Sequence, residues 1–131
     1  METIQDPIYE GNVTVRCTAA EWIARGEQER KEAQEYFQDN PKAAAEKLYE
    51  IATQHTGGGR AASALLLSLW NDHFVVNMRD VICSLDIQNT EAAIALLGIL
   101  GPGHHLERYL TDEQIGQVIE AWGSTHERSR K

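Results

Sequence analysis

Two cysteines in 131 residues, Cys17 and Cys83, are too few for a disulfide framework and suggest a reducing compartment. No apolar run is long enough to span a bilayer. The longest, Ala61–Trp70, is about half of the roughly 20 residues that a crossing requires. The opening METIQDPIYEG lacks a basic patch followed by an apolar stretch, so no signal peptide is expected. Basic residues are scarce as well, 12 against 20 acids, for a net charge of −8. A phosphate backbone would be repelled by that balance, which argues against direct nucleic-acid binding. What is present is 42% hydrophobic residues, enough for one domain of this length to fold without staples. The composition reads as a soluble, acidic, cytoplasmic protein.

The apolar periodicity is helical nearly throughout. Residues 1–17 are the exception: Pro7 and Gly11 interrupt, and Val13, Val15 and Cys17 alternate as one short strand with no evident partner. They are read as an arm. Thr18 and Glu21 form a capping box for a helix to about Gln38, whose stripe is Ala19, Ile23, Gly26, Arg30, Ala33 and Phe37. Its polar middle and apolar ends predict a helix docked at both ends. Asn40 is read as N-cap and Pro41 as the first residue of a second helix to about His55, which Thr56-Gly57-Gly58-Gly59 ends. The helix from Arg60 to Asn71 is apolar nearly all round and belongs at the centre. Asn77 and Asp80 can cap a short fourth helix, and Asn89 or Thr90 a fifth over Glu91–Leu100, ended by Gly101-Pro102-Gly103. Thr111 and Gln114 box the start of a sixth, with Ile115, Val118, Ile119 and Trp122 on one face. The expected fold is all-α, a compact bundle of five to six helices around residues 60–71. The division is an arm and helix at 1–39, a core domain at 40–124 and a flexible tail at 125–131.

Leu48-x-x-Ile51-Ala52, Thr56-Gly57-x-x-Arg60, Trp70-Asn71, Asn77 and Asp80, Asp86, and Val118-x-x-x-Trp122 carry a resemblance. From about Ala43 to Gly123 the chain resembles a small bacterial family of unknown function found on plasmids, integrative elements and phages of proteobacteria. It departs from that pattern at Gly58-Gly59, where the family carries larger polar residues. The resemblance implies a mobile-element setting and supplies no activity.

No motif with catalytic spacing appears. The turn Thr56-Gly57-Gly58-Gly59-Arg60 lacks the lysine and spacing of a P-loop. As a candidate anion site, Gly58, Gly59 and Arg60 would offer free amides and a guanidinium. The preferred reading is a helix C-cap with glycine at positive φ, and Arg60 bonded to nearby Asp or carbonyl groups. The histidines at 55, 73, 104, 105 and 126 form no HxxxH pair, and no metal site or cofactor is expected. Cys83, within Val81-Ile82-Cys83, reads as a buried inert thiol. Ser63 and Ser68 read as hydroxyls bonded one turn back on the central helix. The acids Asp72, Asp80, Asp86, Glu91 and Glu107 read mainly as caps and a solvated face. These features point to a non-enzymatic interaction protein that binds and modulates a host protein, such as a nucleic-acid-handling or defence complex. Self-association is compatible with the sequence. The alternative is a small-ligand or anion-binding module at Gly57–Arg60. Candidate partner-binding residues are Trp22, Glu27, Glu29, Glu32, Glu35, Tyr36 and Phe37, aromatics rimmed by charge.

Overall fold

The structure, a computed structural model, describes residues 8–10, 13–15 and 18–128. Pro7, Gly11, Cys17 and the tail from 129 onward lie outside them. The fold is all-α. Six α-helices follow a short hairpin in which β1 (Ile8–Glu10) pairs antiparallel with β2 (Val13–Val15), Tyr9 opposite Thr14. The strand at Val13–Val15 therefore does have a partner, immediately before it in the chain.

Helix α1 (Ala19–Asp39) starts where Thr18 Oγ1 accepts the Glu21 amide at 3.1 Å. It ends at Asn40, whose side-chain amide donates to the Tyr36 carbonyl at 2.9 Å. Asn40 thus closes α1 rather than capping the next helix by its side chain, and Pro41, which needs no amide partner, opens α2 (Pro41–Ala52). α2 stops three residues short of His55. Thr56 then caps α3 (Gly57–Trp70), accepting the Gly59 amide at 2.9 Å. The three glycines begin a helix instead of ending one, and none has positive φ; among the described residues only Gly103 does.

α4 (Met78–Ser84) is capped by Asn77, which accepts from the amides of Arg79 and Asp80. α5 (Ile87–Ile99) begins earlier than expected, because Asp86 accepts the Asn89 amide at 2.8 Å. Asp86 is the cap, and Asn89 lies inside the helix. A turn at Gly101–His104 and a 3-10 turn at Leu106–Arg108 lead to α6 (Asp112–His126), whose capping box has both bonds, Thr111 with Gln114.

α3 is the axis of the bundle, with Ala61, Ala62, Leu65, Leu66 and Leu67 all at most 2% exposed. α2 packs between α3 and α5, α6 lies on α3, and α1 lies across α5. Leu48, Leu96, Leu106, Leu110 and Val118 fill the space between them, and each leucine buried this fully stabilises by about 1.5–3 kcal/mol.

Three further expectations are corrected. The flexible tail cannot start at 125, since α6 runs to His126, Glu127 bridges to Phe74, and the Arg128 amide donates to the His73 carbonyl at 2.8 Å. The sequence there has no apolar residue, but a partnered histidine can be buried in its place. Cys83 is exposed: α4 is short and turns Val81 to the core, leaving Ile82 and Cys83 outside. α1 is docked along its C-terminal half only, because Trp22 and Ile23 are exposed. No helix among the described residues is long and apolar enough to cross a membrane.

Candidate functional site

The glycine turn is a packed corner. The Gly59 amide is taken by Thr56, and a side chain on Gly59 would overlap the Gln54 carbonyl oxygen and come within 2.7 Å of that of Ile51. Arg60 reaches α4, where its Nε and Nη2 each donate to Asp80 at 3.0 Å, and Ser84 Oγ adds a 3.3 Å bond to the same carboxylate. The bidentate pair holds Asp80 below the usual carboxylate range, and Asp80 raises Arg60 above its ordinary value. An anion arriving at Gly58, Gly59 and Arg60 would meet a cation already neutralised by this chain's own carboxylate. The turn ties α3 to α4, which accords with the preferred reading of Arg60 but not with a glycine C-cap.

Beside this corner Ser63 Oγ and His126 Nε2 stand 2.9 Å apart. A nucleophile and base at that distance invite a catalytic reading. Access argues otherwise. Ser63 is fully buried, its hydroxyl donates back to the Arg60 carbonyl at 2.9 Å, and the nearby Asp80 is committed to Arg60. Burial first, then the Arg60 charge, pushes the His126 pKa below that of a free histidine. Ser68 likewise bonds one turn back, to Leu65. The other histidines are dispersed: His55 lies against Trp122, His73 beside Glu127, and His104 beside Arg108. Among the described residues no group of three or more His, Cys, Asp or Glu side chains could hold a metal ion.

The acids of the 61–107 segment divide. Asp86 is a cap and Asp80 an ion-pair partner, whereas Glu91 is 5% exposed and faces Arg30 of α1 at 3.5 Å.

The remaining candidates lie on α1, and the helix sorts them. Trp22, Glu29 and Tyr36 are seven residues apart, which is close to two turns, so they share one flank, with Glu32 beside them. Trp22 is 50% and Tyr36 55% exposed. Glu27 and Glu35 fall on the far side of the helix. Phe37 is 4% exposed and belongs to the core with Ala33, so it cannot offer a free aromatic surface. Glu29 is tied to α5 by a 3.4 Å bond from Gln88, and Glu32 accepts from Gln28 at 2.7 Å. The flank ends at Tyr36 in a groove of about 380 Å³ between α1, α2 and α5, walled by Glu46, Lys47, Glu50 and Gln88 with Phe37 at its base.

Sequence reasoning missed the exposed apolar residues of other helices: Ile94 and Leu97 on α5, and Met78 and Ile82 on α4. Only their spacing of three or four within a helix could have found them, and that signal is the same as for a buried face. Conversely, the residues that carried the resemblance prove to hold the frame. Thr56, Asn77 and Asp86 are caps, Arg60 and Asp80 form the cross-tie, and Asn71 accepts the His73 amide. Trp122 donates from Nε1 to the Gln54 carbonyl at 3.2 Å, closing the corner from the α6 side.

No curated protein and no solved structure matches this chain. The sequence model of one family does, over residues 42–123, which runs from just inside α2 to Gly123 of α6 and leaves α1, the hairpin and the last turn of α6 outside. On that match, spanning more than half of its length, the chain belongs to a family of unknown function (DUF7673).

Proposed function

We propose that this protein is a non-enzymatic, cytoplasmic interaction protein whose docking face is the Trp22–Glu29–Tyr36 flank of α1 together with the groove at its end. The observation that carries this reading is the exposure of α1. A helix of 21 residues with only Ala33 and Phe37 buried leaves two aromatic rings half in water among carboxylates. Rigid aromatics of this kind, rimmed by polar groups, are the usual anchors of protein interfaces. The partner suited to them carries apolar side chains and basic residues, since the chain has a net charge of −8, Glu46 and Glu50 line the groove beside Tyr36, and Glu29 and Glu32 lie along α1 between the two aromatics. A host protein with a basic nucleic-acid channel has that chemistry, and inhibition by occupying the channel is the specific version of the proposal. The resemblance noted above to a family carried on plasmids, integrative elements and phages supports a mobile-element accessory role.

Affinity purification from host lysate at moderate salt, with wild type and Trp22→Ala/Tyr36→Ala side by side, tests the reading. Both side chains are half exposed, so the double variant keeps its stability to within about 1 kcal/mol. A stoichiometric partner should be retained by wild type and its affinity reduced about thirty-fold or more by the variant, as loss of two anchors implies. Absence of any partner, or equal retention by the variant, would refute it.

A further inference from the structure

His126 occupies the last turn of α6 in the corner where α3, α4 and α6 meet, and is 8% exposed. Ser63 Oγ lies 2.9 Å from the Arg60 carbonyl, to which it donates, and 2.9 Å from Nε2 of the ring, and the Arg60 carbonyl also bonds the imidazole. The ring lies nearly parallel to that of Trp122, at 5.6 Å and 17°. Two charged groups act on it. From α3 comes the Arg60 guanidinium, and from α4 Asp80, both of whose oxygens already bind that guanidinium. His55 lies against the same Trp122 ring at 5.3 Å, and His73 is 3.7 Å from the carboxylate of Glu127, the next residue in the chain. The backbone around His126 holds the segment that follows α3. Its carbonyl accepts the Val75 amide at 2.9 Å, and the Arg128 amide donates to the His73 carbonyl. Phe74, 6% exposed, is covered by this arrangement.

We infer that His126 is a proton-operated latch: the neutral ring fastens the end of α6 to α3 and to residues 73–75, and protonation releases that end. A second proton would place a positive charge beside Arg60 at a site whose nearest polar partner, Ser63, has no exposure to water. The Arg60 carbonyl, which bonds the ring, and Asp80, whose charge is shared with Arg60, offset this only in part. Burial and the Arg60 charge accordingly keep the His126 pKa below its ordinary value. The opened segment takes up the proton more readily than the closed one. The latch is therefore complete above the free-histidine value of about 6.5 and weakens as pH falls below it. For one proton, closed over open decreases by up to about tenfold per pH unit.

Amide hydrogen exchange on the full chain, corrected for the intrinsic rate, tests the latch. Below about pH 6.5, protection of the Val75 and Arg128 amides should decrease by up to about tenfold per pH unit, while α2 and α5 hold theirs. His126→Gln keeps a hydrogen-bonding group for Ser63 without a titrating ring, and its latch amides should be flat over the same range. His73→Gln should retain the decrease. Where His126→Gln opens the latch at every pH, NMR titration of the wild-type His126 ring decides. A midpoint below that of free histidine supports the latch, and one at or above it overturns the latch. Flat protection in wild type, or an equal decrease in a folded His126→Gln, also overturns it.

Discussion

Gly59 packs directly on backbone carbonyls at the end of α2, and its neighbour Gly58 does not. A methyl group on Gly59 would be driven into the Gln54 and Ile51 carbonyls, which are backbone and cannot swing away. On Gly58 it would rest 3.5 Å from the Ser84 carbonyl, an ordinary contact. Gly59→Ala should therefore lose about 3 kcal/mol in chemical denaturation. Gly58→Ala should change stability by less than about 1 kcal/mol, in the stabilising direction, because alanine favours helix over glycine. Equal losses at the two positions would mean that flexibility of the helix start, not the close approach, is what glycine supplies. The Arg60–Asp80 pair beside them acts in a different pH range from His126. The Asp80 pKa is depressed, so the stability it contributes is present above the ordinary carboxylate value and is lost only as pH falls through the lower, folded one. Asp80→Asn should lower stability at neutrality and flatten the stability–pH curve below about pH 4, because the contribution that acid removes from wild type is already missing.

The contact between α1 and α5 combines a buried acid with an exposed base. Glu91 is 5% exposed, while the Arg30 side chain that faces it at 3.5 Å is 61% exposed. Removing only the arginine strands a buried carboxylate, and Arg30→Ala should cost about 1–3 kcal/mol. Arg30→Ala/Glu91→Gln should recover most of that loss, because a neutral amide needs no counter-charge. If the double variant is no better than the single one, Glu91 draws its support from elsewhere. Neither residue's role was legible in the sequence, where Arg30 interrupts an apolar stripe and Glu91 resembles a helix-start acid. What was legible follows from local rules: the break at Asn40-Pro41, the buried α3, the caps at Thr18, Asn77 and Thr111, and the cross-tied Arg60. What was not depended on tertiary partners. α3 begins at Gly57 because Thr56 caps it, and of the three glycines only Gly59 is required, by close packing and not by positive φ; a glycine run reads the same in either case. α6 extends to His126 because Ser63, 63 residues earlier, offers it a hydrogen bond. The candidate face was half legible: Trp22 and Tyr36 are exposed, but helical phase alone could not decide that Phe37 turns inward while Ile23 turns out.

Across the whole molecule, α2 to α6 form a closed set of contacts, with α2 on α3 and α5, and α6 and α4 on α3. α1 touches that set mainly along α5, through Ala33, Phe37 and the Arg30–Glu91 pair. The segment matched by the family model starts at residue 42, just inside α2. Deletion of residues 1–38 should therefore leave a chain that still unfolds cooperatively. It would give up the Phe37 site, about 3–5 kcal/mol on the scale of Phe→Ala, and the counter-charge of Glu91, about 1–3 kcal/mol. A domain of this size has about 5–15 kcal/mol in total, so the remaining fold is weakened without being abolished wherever that total exceeds about 8 kcal/mol. The same deletion removes Trp22 and Tyr36 and should abolish partner capture. Circular dichroism through a denaturant titration, read beside capture from lysate, gives each part its own outcome. A truncated chain with helical signal but no cooperative transition would place α1 within the minimal core. One that folds cooperatively and still captures the partner at full affinity would move the docking face off α1 and onto the exposed apolar residues of α4 and α5.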